Sequence, residues 1–209
     1  MNEVMLMKTM TRRAILLLVA TMAALVLASG VALAVTKVGT DGPDTLRGTN
    51  GDDNLLGKGG DDNLFSLGGN DNLLGGPGKD NVFGGDERRR AGGDKNLVGG
   101  PGNDQVRGGV GSDDNAVGGR GNDFLNESPR EASDDNYVGG PGDDVFAVNN
   151  RPGAKDVVVC GSGFDRVLAD RKDVVAGDCE RVYFGLTDEE FGETIGSSFF
   201  EGLPPPPEG

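Results

Sequence analysis

Residues 39–83 read GTDGPDTLR-GTNGDDNLL-GKGGDDNLF-SLGGNDNLL-GGPGKDNVF, five blocks of nine without a break. Every block has glycine at its fourth place, Asp at its sixth and an aliphatic residue at its eighth, and four of the five also open on glycine. The Asp column is Asp44, Asp53, Asp62, Asp71 and Asp80; the aliphatic column is Leu46, Leu55, Leu64, Leu73 and Val82. A fixed short period marks a repeat architecture, in which each unit buries its apolar side by stacking on its neighbours.

The period survives interruption. GGDERR after Phe83 inserts six residues and, with Arg90 of the next block, sets three arginines in a row, Arg88 to Arg90; it reads as a surface loop because it lacks an aliphatic residue to point inward. RAGGDKNLV, GGPGNDQVR, GGVGSDDNAV and GGRGNDFLN follow. Their sixth places hold Lys95, Asp104, either Asp113 or Asp114 (one residue is extra there) and Asp123. A second insertion, of three residues, lies within 127–135; Asp135 then precedes Tyr137 in the aliphatic place, and GGPGDDVFA supplies Asp144 and Phe146. Past Ala147 valine displaces glycine, yet Asp156 and Asp165 stay nine apart and Asp173 follows. That end reads as a drier terminal cap, since end repeats must close an exposed core.

Each block divides into a six-residue turn and a three-residue strand. Two blocks make one coil of 18 residues, with a strand on each side and successive coils about 4.8 Å apart. The expected fold class is all-β: a parallel β-roll, or β-solenoid, with the eighth-place residues filling a thin core. Glycine lets the turns bend sharply and aim carbonyls inward. Carbonyls joined by sixth-place carboxylates form a hard-oxygen donor set, which selects calcium. Zinc would want His or Cys, which the repeats lack. Turns two blocks apart become neighbours, so Asp44 is expected beside Asp62, Asp53 beside Asp71, and Asp62 beside Asp80.

GGPGKDNVF, GGPGNDQVR, GGRGNDFLN and GGPGDDVFA resemble the nonapeptide GGxGxDxUx of RTX, or haemolysin-type, calcium-binding repeats, over roughly residues 39–168. The resemblance implies a β-roll with Ca2+ in its turns. Carried over by position, it implies side-chain ligands at Asp44, Asp53, Asp62, Asp71, Asp80, Asp104, Asp113 or Asp114, Asp123, Asp135 and Asp144, completed by backbone carbonyls. Lys95 departs from the pattern, with Asp94 beside it as a substitute, and Ser66-Leu67 replaces two glycines. Fifth-place Asp52, Asp61, Asn70, Asn103, Asn122 and Asp143 read as turn formers and not as ligands.

The flanks set the domain plan. Residues 1–34 read as an export signal: Lys8, Arg12 and Arg13 precede an apolar run from Ala14 to Leu27, and Ala32-Leu33-Ala34 supplies the small residues of a cleavage site. A lead-in at 35–38, the roll at 39–147, degenerate repeats forming a cap at 148–182 and a Pro-rich tail at 183–209 complete the plan. The two cysteines, Cys160 and Cys179, lie 19 apart, close to one coil, and export makes a disulfide between them the expected state.

The chain carries 38 glycines, no His and a formal charge of −14. An acidic surface disfavours nucleic acid, whose binding rests on basic residues. No nucleophile–base set, phosphate loop or HExxH motif occurs, and the acids are spaced as ligands, so a non-enzyme is expected. The leading expectation is a secreted calcium-binding protein, free or associated with the cell surface, with a structural or surface-interaction role and no stable membrane span after signal cleavage. The alternatives are an accessory module of a secreted enzyme or toxin system, and a polymer- or ice-binding solenoid. Strand places seven and nine (Asn54, Leu56, Asn63, Phe65, Asn72, Leu74, Asn81 and Phe83) share the outward face. Their apolar stripe is either a docking surface or covered by other parts of the chain.

Overall fold

The computed structural model describes residues 34–85, 95–110, 113–127, 133–149 and 154–185. The expected signal sequence up to residue 33, the Arg88–Arg90 loop, Asp94 and nearly all of the tail lie outside them. Among the described residues sixteen strands follow in order: β1 (Thr36–Val38), β2 (Thr45–Arg47), β3 (Asn54–Leu56), β4 (Asn63–Phe65), β5 (Asn72–Leu74), β6 (Asn81–Phe83), β7 (Asn96–Pro101), β8 (Gln105–Arg107), β9 (Asn115–Arg120), β10 (Phe124–Asn126), β11 (Asn136–Pro141), β12 (Val145–Val148), β13 (Val157–Ser162), β14 (Arg166–Ala169), β15 (Val174–Val175) and β16 (Arg181–Phe184). Odd-numbered strands pair in sequence into one eight-stranded sheet and even-numbered strands into another. All the pairings are parallel. The fold is the parallel β-roll that the period implies.

The period itself produces this topology. A nine-residue block carries the chain across one side of the roll, so consecutive strands fall on opposite sheets and each strand pairs with the one two places on. The lead-in supplies β1, which pairs with β3 through Thr36↔Asn54 and Val38↔Leu56. Register follows the eighth-place residues: Leu55, Leu73, Leu97, Ala116, Tyr137 and Val158 are successive partners in the odd sheet. Leu46, Leu64, Val82, Val106, Leu125, Phe146 and Val167 are partners in the even sheet. Except for the half-buried Leu46 they are fully enclosed and form one continuous core. The small Ala116 neighbours the large Tyr137, so bulk is shared between adjacent coils.

The two outer faces differ. On the odd sheet an asparagine ladder is exposed: Asn72 Nδ2 donates to Asn54 Oδ1 (3.1 Å), Asn96 Nδ2 to Asn72 Oδ1 (2.9 Å) and Asn136 Nδ2 to Asn115 Oδ1 (3.2 Å). Beside it runs an aliphatic stripe, exposed at Val38, Leu74 and Val159. On the even sheet Phe83, Val145 and Leu168 are buried; Phe65 stacks on Phe83 at 5.5 Å and Arg107 lies over Phe83 at 5.3 Å. Cys160 and Cys179 form a disulfide with their Cα atoms 5.3 Å apart. It ties β13 to the last turn before β16. Among the described residues no helix is long and apolar enough to cross a membrane.

Candidate metal centre: two files of carboxylates

The sixth-place residues stack into two files, one along each edge of the roll. The file leading into the even sheet is Asp44, Asp62, Asp80, Asp104, Asp123, Asp144 and Asp165. Each backbone N–H donates to Oδ1 of the next Asp in the file, at 2.7–2.9 Å. Asp165 N–H ends the ladder on Glu180 Oε2 at 2.8 Å. The stacking expected of Asp44 on Asp62 and of Asp62 on Asp80 is therefore present. So is that of Asp53 on Asp71 in the other file, where Asp53 N–H donates to Asp71 Oδ1 at 2.8 Å.

The second carboxylate oxygen in the even file has a different fate. Oδ2 of Asp62, Asp80, Asp104, Asp123, Asp144 and Asp165 is buried, and none of them has a hydrogen-bond partner among the described residues. Leaving so many buried acceptors unsatisfied is costly, and a bound ion is one of the standard explanations. All but that of Asp165, whose turn opens on Cys160, face a glycine at the first place of their own turn. A Cβ on Gly57, Gly75, Gly99, Gly118 or Gly139 would collide with the Oδ2 of its own turn's Asp. The same Cβ would stand 2.5 Å from Gly75 O at Gly57, 2.7 Å from Gly118 O at Gly99 and 2.6 Å from Cys160 O at Gly139. Oδ2 and the next coil's first carbonyl thus converge on a cradle at Gly57 and Gly99, and at Gly139 the Phe146 ring reaches it as well, Cζ lying 2.9 Å from the same Cβ. Carboxylate plus carbonyl is the donor set for calcium, so the residues present fit that ion.

Burial dominates the electrostatics. Desolvation pushes the carboxyls of Asp80, Asp104 and Asp144 up to about 7 and that of Asp123 to about 8. The ladder N–H bonds oppose the rise, and neighbouring carboxylates in the file add to it. Asp62 and Asp165 shift upward for the same leading reason.

The file leading into the odd sheet holds Asp53, Asp71, Lys95, Asp114, Asp135, Asp156 and Asp173. Of the two candidates Asp113 and Asp114, it is Asp114 that enters the ladder, donating to Asp135 Oδ1 at 2.8 Å, while Asp113 is exposed. Asp135 donates to Asp156 Oδ1 (2.9 Å) and Asp156 to Asp173 Oδ1 (3.1 Å). Here the first places are not uniformly glycine: they are Gly48, Ser66, Gly84, Gly108, Glu127, Val148 and Ala169. Ser66 Oγ donates to Gly84 O. Tyr137 OH donates to Asp135 Oδ2 at 3.2 Å. Glu127 brings a carboxylate oxygen within 4.8 Å of those of Asp135 and Asp156, all three residues being buried. Burial pushes Asp71 up, and Lys95 partly opposes this.

Asp156, Asp165 and Asp173 continue the ladders past the ligand set drawn from the resemblance, and their nine- and eight-residue spacing was the signal for them. Glu127 and Glu180 had no such signal, because neither occupies the Asp column. The fifth-place residues form an outer ladder of opposite sense. Asn70 N–H donates to Asp52 Oδ1, Lys79 to Asp61 Oδ1, Asn122 to Asn103 Oδ1 and Asp143 to Asn122 Oδ1, each at 2.9 Å. The side chains of Asp52, Asp61, Asn103, Asn122 and Asp143 each accept a backbone N–H of the next coil.

A family model for the RTX calcium-binding nonapeptide repeat, in four copies, matches residues 38–73, 56–88 and 109–126. The comparison with curated proteins returns no match. The same coil and the same ladders run on beyond the matched segments as far as β16. Repeat, roll and carboxylate ladder agree: this chain carries RTX calcium-binding nonapeptide repeats, stacked as a parallel β-roll.

Proposed function

We propose that this protein is exported, that its roll assembles on calcium, and that the assembled roll serves as a structural or surface-interaction element and not as a catalyst. The observation that carries the reading is the even file, where six consecutive carboxylates each bury an oxygen with no donor among the described residues. Asp62, Asp80, Asp104, Asp123, Asp144 and Asp165, with the first-place carbonyls of adjoining coils, would hold the ions. Bound there, calcium supplies the positive charge that offsets like-charge repulsion along the file. Ordering a glycine-rich backbone is also entropically costly. Metal binding compensates both, so folding and binding become one event.

Export is supported by the basic head, apolar run and small-residue site of residues 1–34. The Cys160–Cys179 disulfide fits an oxidising compartment. Extracellular calcium sites work at affinities of about 10⁻⁴–10⁻³ M, which would keep the roll unassembled where calcium is scarce. The exposed odd face, an amide ladder beside an aliphatic stripe, favours a polymer or another flat surface as the partner. The test is calorimetry with parallel far-UV circular dichroism on the chain from Val35, titrated with calcium after chelation. Uptake of several ions with a cooperative gain of β-signal is expected. Full β-content in excess chelator would withdraw calcium-driven assembly.

A further inference from the structure

Lys95 stands in the Asp column, yet its side chain is not turned out to solvent: it is 0 % exposed. Its coil is in register, since Asn96 N–H donates to Asp71 O (2.9 Å) and Asn115 N–H to Lys95 O (2.8 Å). A Cβ on Gly84, the first place of this turn, would meet Lys95 Cδ at 3.1 Å, where the even file presents a carboxylate oxygen. The stem then runs on toward the next coil. A Cβ on Gly109 would have Gly85 O at 3.0 Å, Lys95 Nζ at 3.2 Å and Asp114 Oδ2 at 3.4 Å, so these three atoms surround one point. Carbonyl, carboxylate and ammonium gather at the second place of the Asp114 turn, one residue past the first place at which the even file gathers carbonyl and carboxylate around a cradle.

We infer that Lys95 is a resident cation of the odd file, its ammonium taking the place of a calcium ion between the turns ending at Lys95 and Asp114. The inference rests on the calcium reading of the even file. A lysine ammonium is a compact point charge with three donors on a flexible stem, suited to bridging oxygens of two coils. It is covalently attached, so it is present at any calcium concentration. The middle of the roll is then charge-compensated on its odd edge without metal, while its even edge, from Asp80 to Asp123, waits for calcium. Strands β5, β7 and β9 become the part of the roll that needs least metal to stack.

The test compares the full chain with Lys95→Asp and Lys95→Met, counting bound calcium by chelator competition and mapping ions by anomalous diffraction. Wild type is expected to show ions along the even file and the Lys95 ammonium, with no ion, between the turns ending at 95 and 114. Lys95→Asp should bind at least one more calcium. Lys95→Met should bind no more than wild type and should lose hydrogen-exchange protection at Asn96 and Asn115 in chelator. An ion at that position in wild type, with the lysine displaced, overturns the inference, as does an unchanged calcium count in a folded Lys95→Asp chain. If that variant does not fold, the wild-type map decides alone. Absence of ions along the even file would instead remove the calcium reading, while the lysine's position would still be read directly.

Discussion

Asp123 Oδ1 accepts the backbone N–H of Asp104 at 2.8 Å, while Asp123 Oδ2 turns toward Gly118 and finds no donor among the described residues. One carboxylate thus performs two tasks, stacking the coils through one oxygen and offering the other to a cation. The two can be separated by mutation.

Asp123→Asn keeps an acceptor for Asp104 N–H and removes the negative charge. In calcium the variant should bind fewer ions. At a hundredfold excess of calcium over the affinity of the lost site, it should lose about 3 kcal/mol of stabilisation. In chelator the order reverses, because a repelling buried charge is gone, and the variant should hold more β-structure than wild type. Urea titrations with and without calcium read both signs; destabilisation in both conditions would mean that Asp123 is only a coil-to-coil clasp.

The pH dependence follows from the direction of the shifts. Asp80, Asp104 and Asp144 rise to about 7 and Asp123 to about 8, above the ordinary value of 3.8 that the unfolded chain retains. Between those values the folded metal-free state binds more protons than the unfolded one, so its stability falls as pH rises. In chelator, β-content should be highest near pH 4 and should decline through pH 7–8. Calcium needs the deprotonated form, so its affinity should climb across the same window. A metal-free chain that gains structure on going from pH 4 to pH 8 would contradict both statements.

Leu67 sits at φ 85° and Lys58 at φ 87°, at the second place of turns where Gly76, Gly100 and Gly140 take positive φ in other coils. A side chain in that region costs about 1–2 kcal/mol, against about 0.5–1 kcal/mol of extra chain entropy for glycine. Leu67→Gly is therefore expected to stabilise the calcium-loaded roll by about 0.5–1 kcal/mol with the ion count unchanged. Thermal unfolding in saturating calcium measures it.

Reducing the Cys160–Cys179 bridge opens a loop of 19 residues near the end of the roll. The loss should be about 3 kcal/mol, concentrated in β13 to β16. Hydrogen exchange in calcium with and without reductant should show Arg181 and Val182 losing protection while Leu64 and Leu73 keep theirs. Uniform loss along the roll would mean that the coils unfold as a single unit.

Strand place, core and coil length were legible in the sequence because each depends on residues within one block. Glycine at the fourth place bends the turn, the eighth place faces inward by strand alternation, and eighteen residues return the chain to the same edge. Asp44, Asp62 and Asp80 could be stacked by counting. The inequality of the two edges depended on contacts between coils. Gly57, Gly75, Gly99 and Gly118 leave even cradles open and Gly48 leaves one odd cradle open, whereas Ser66, Lys95, Glu127 and Tyr137 put side-chain atoms into the rest of the odd file and the Phe146 ring reaches the place beside Gly139. The choice of Asp114 over Asp113, the meeting of Glu127 with Asp156, and the burial of Lys95 beneath Gly109 each join residues from neighbouring coils. The repeat determined that two files of acids would exist. Only stacking decided which turns keep open places for a cation, because that depends on which side chains the adjoining coils direct into the same gap.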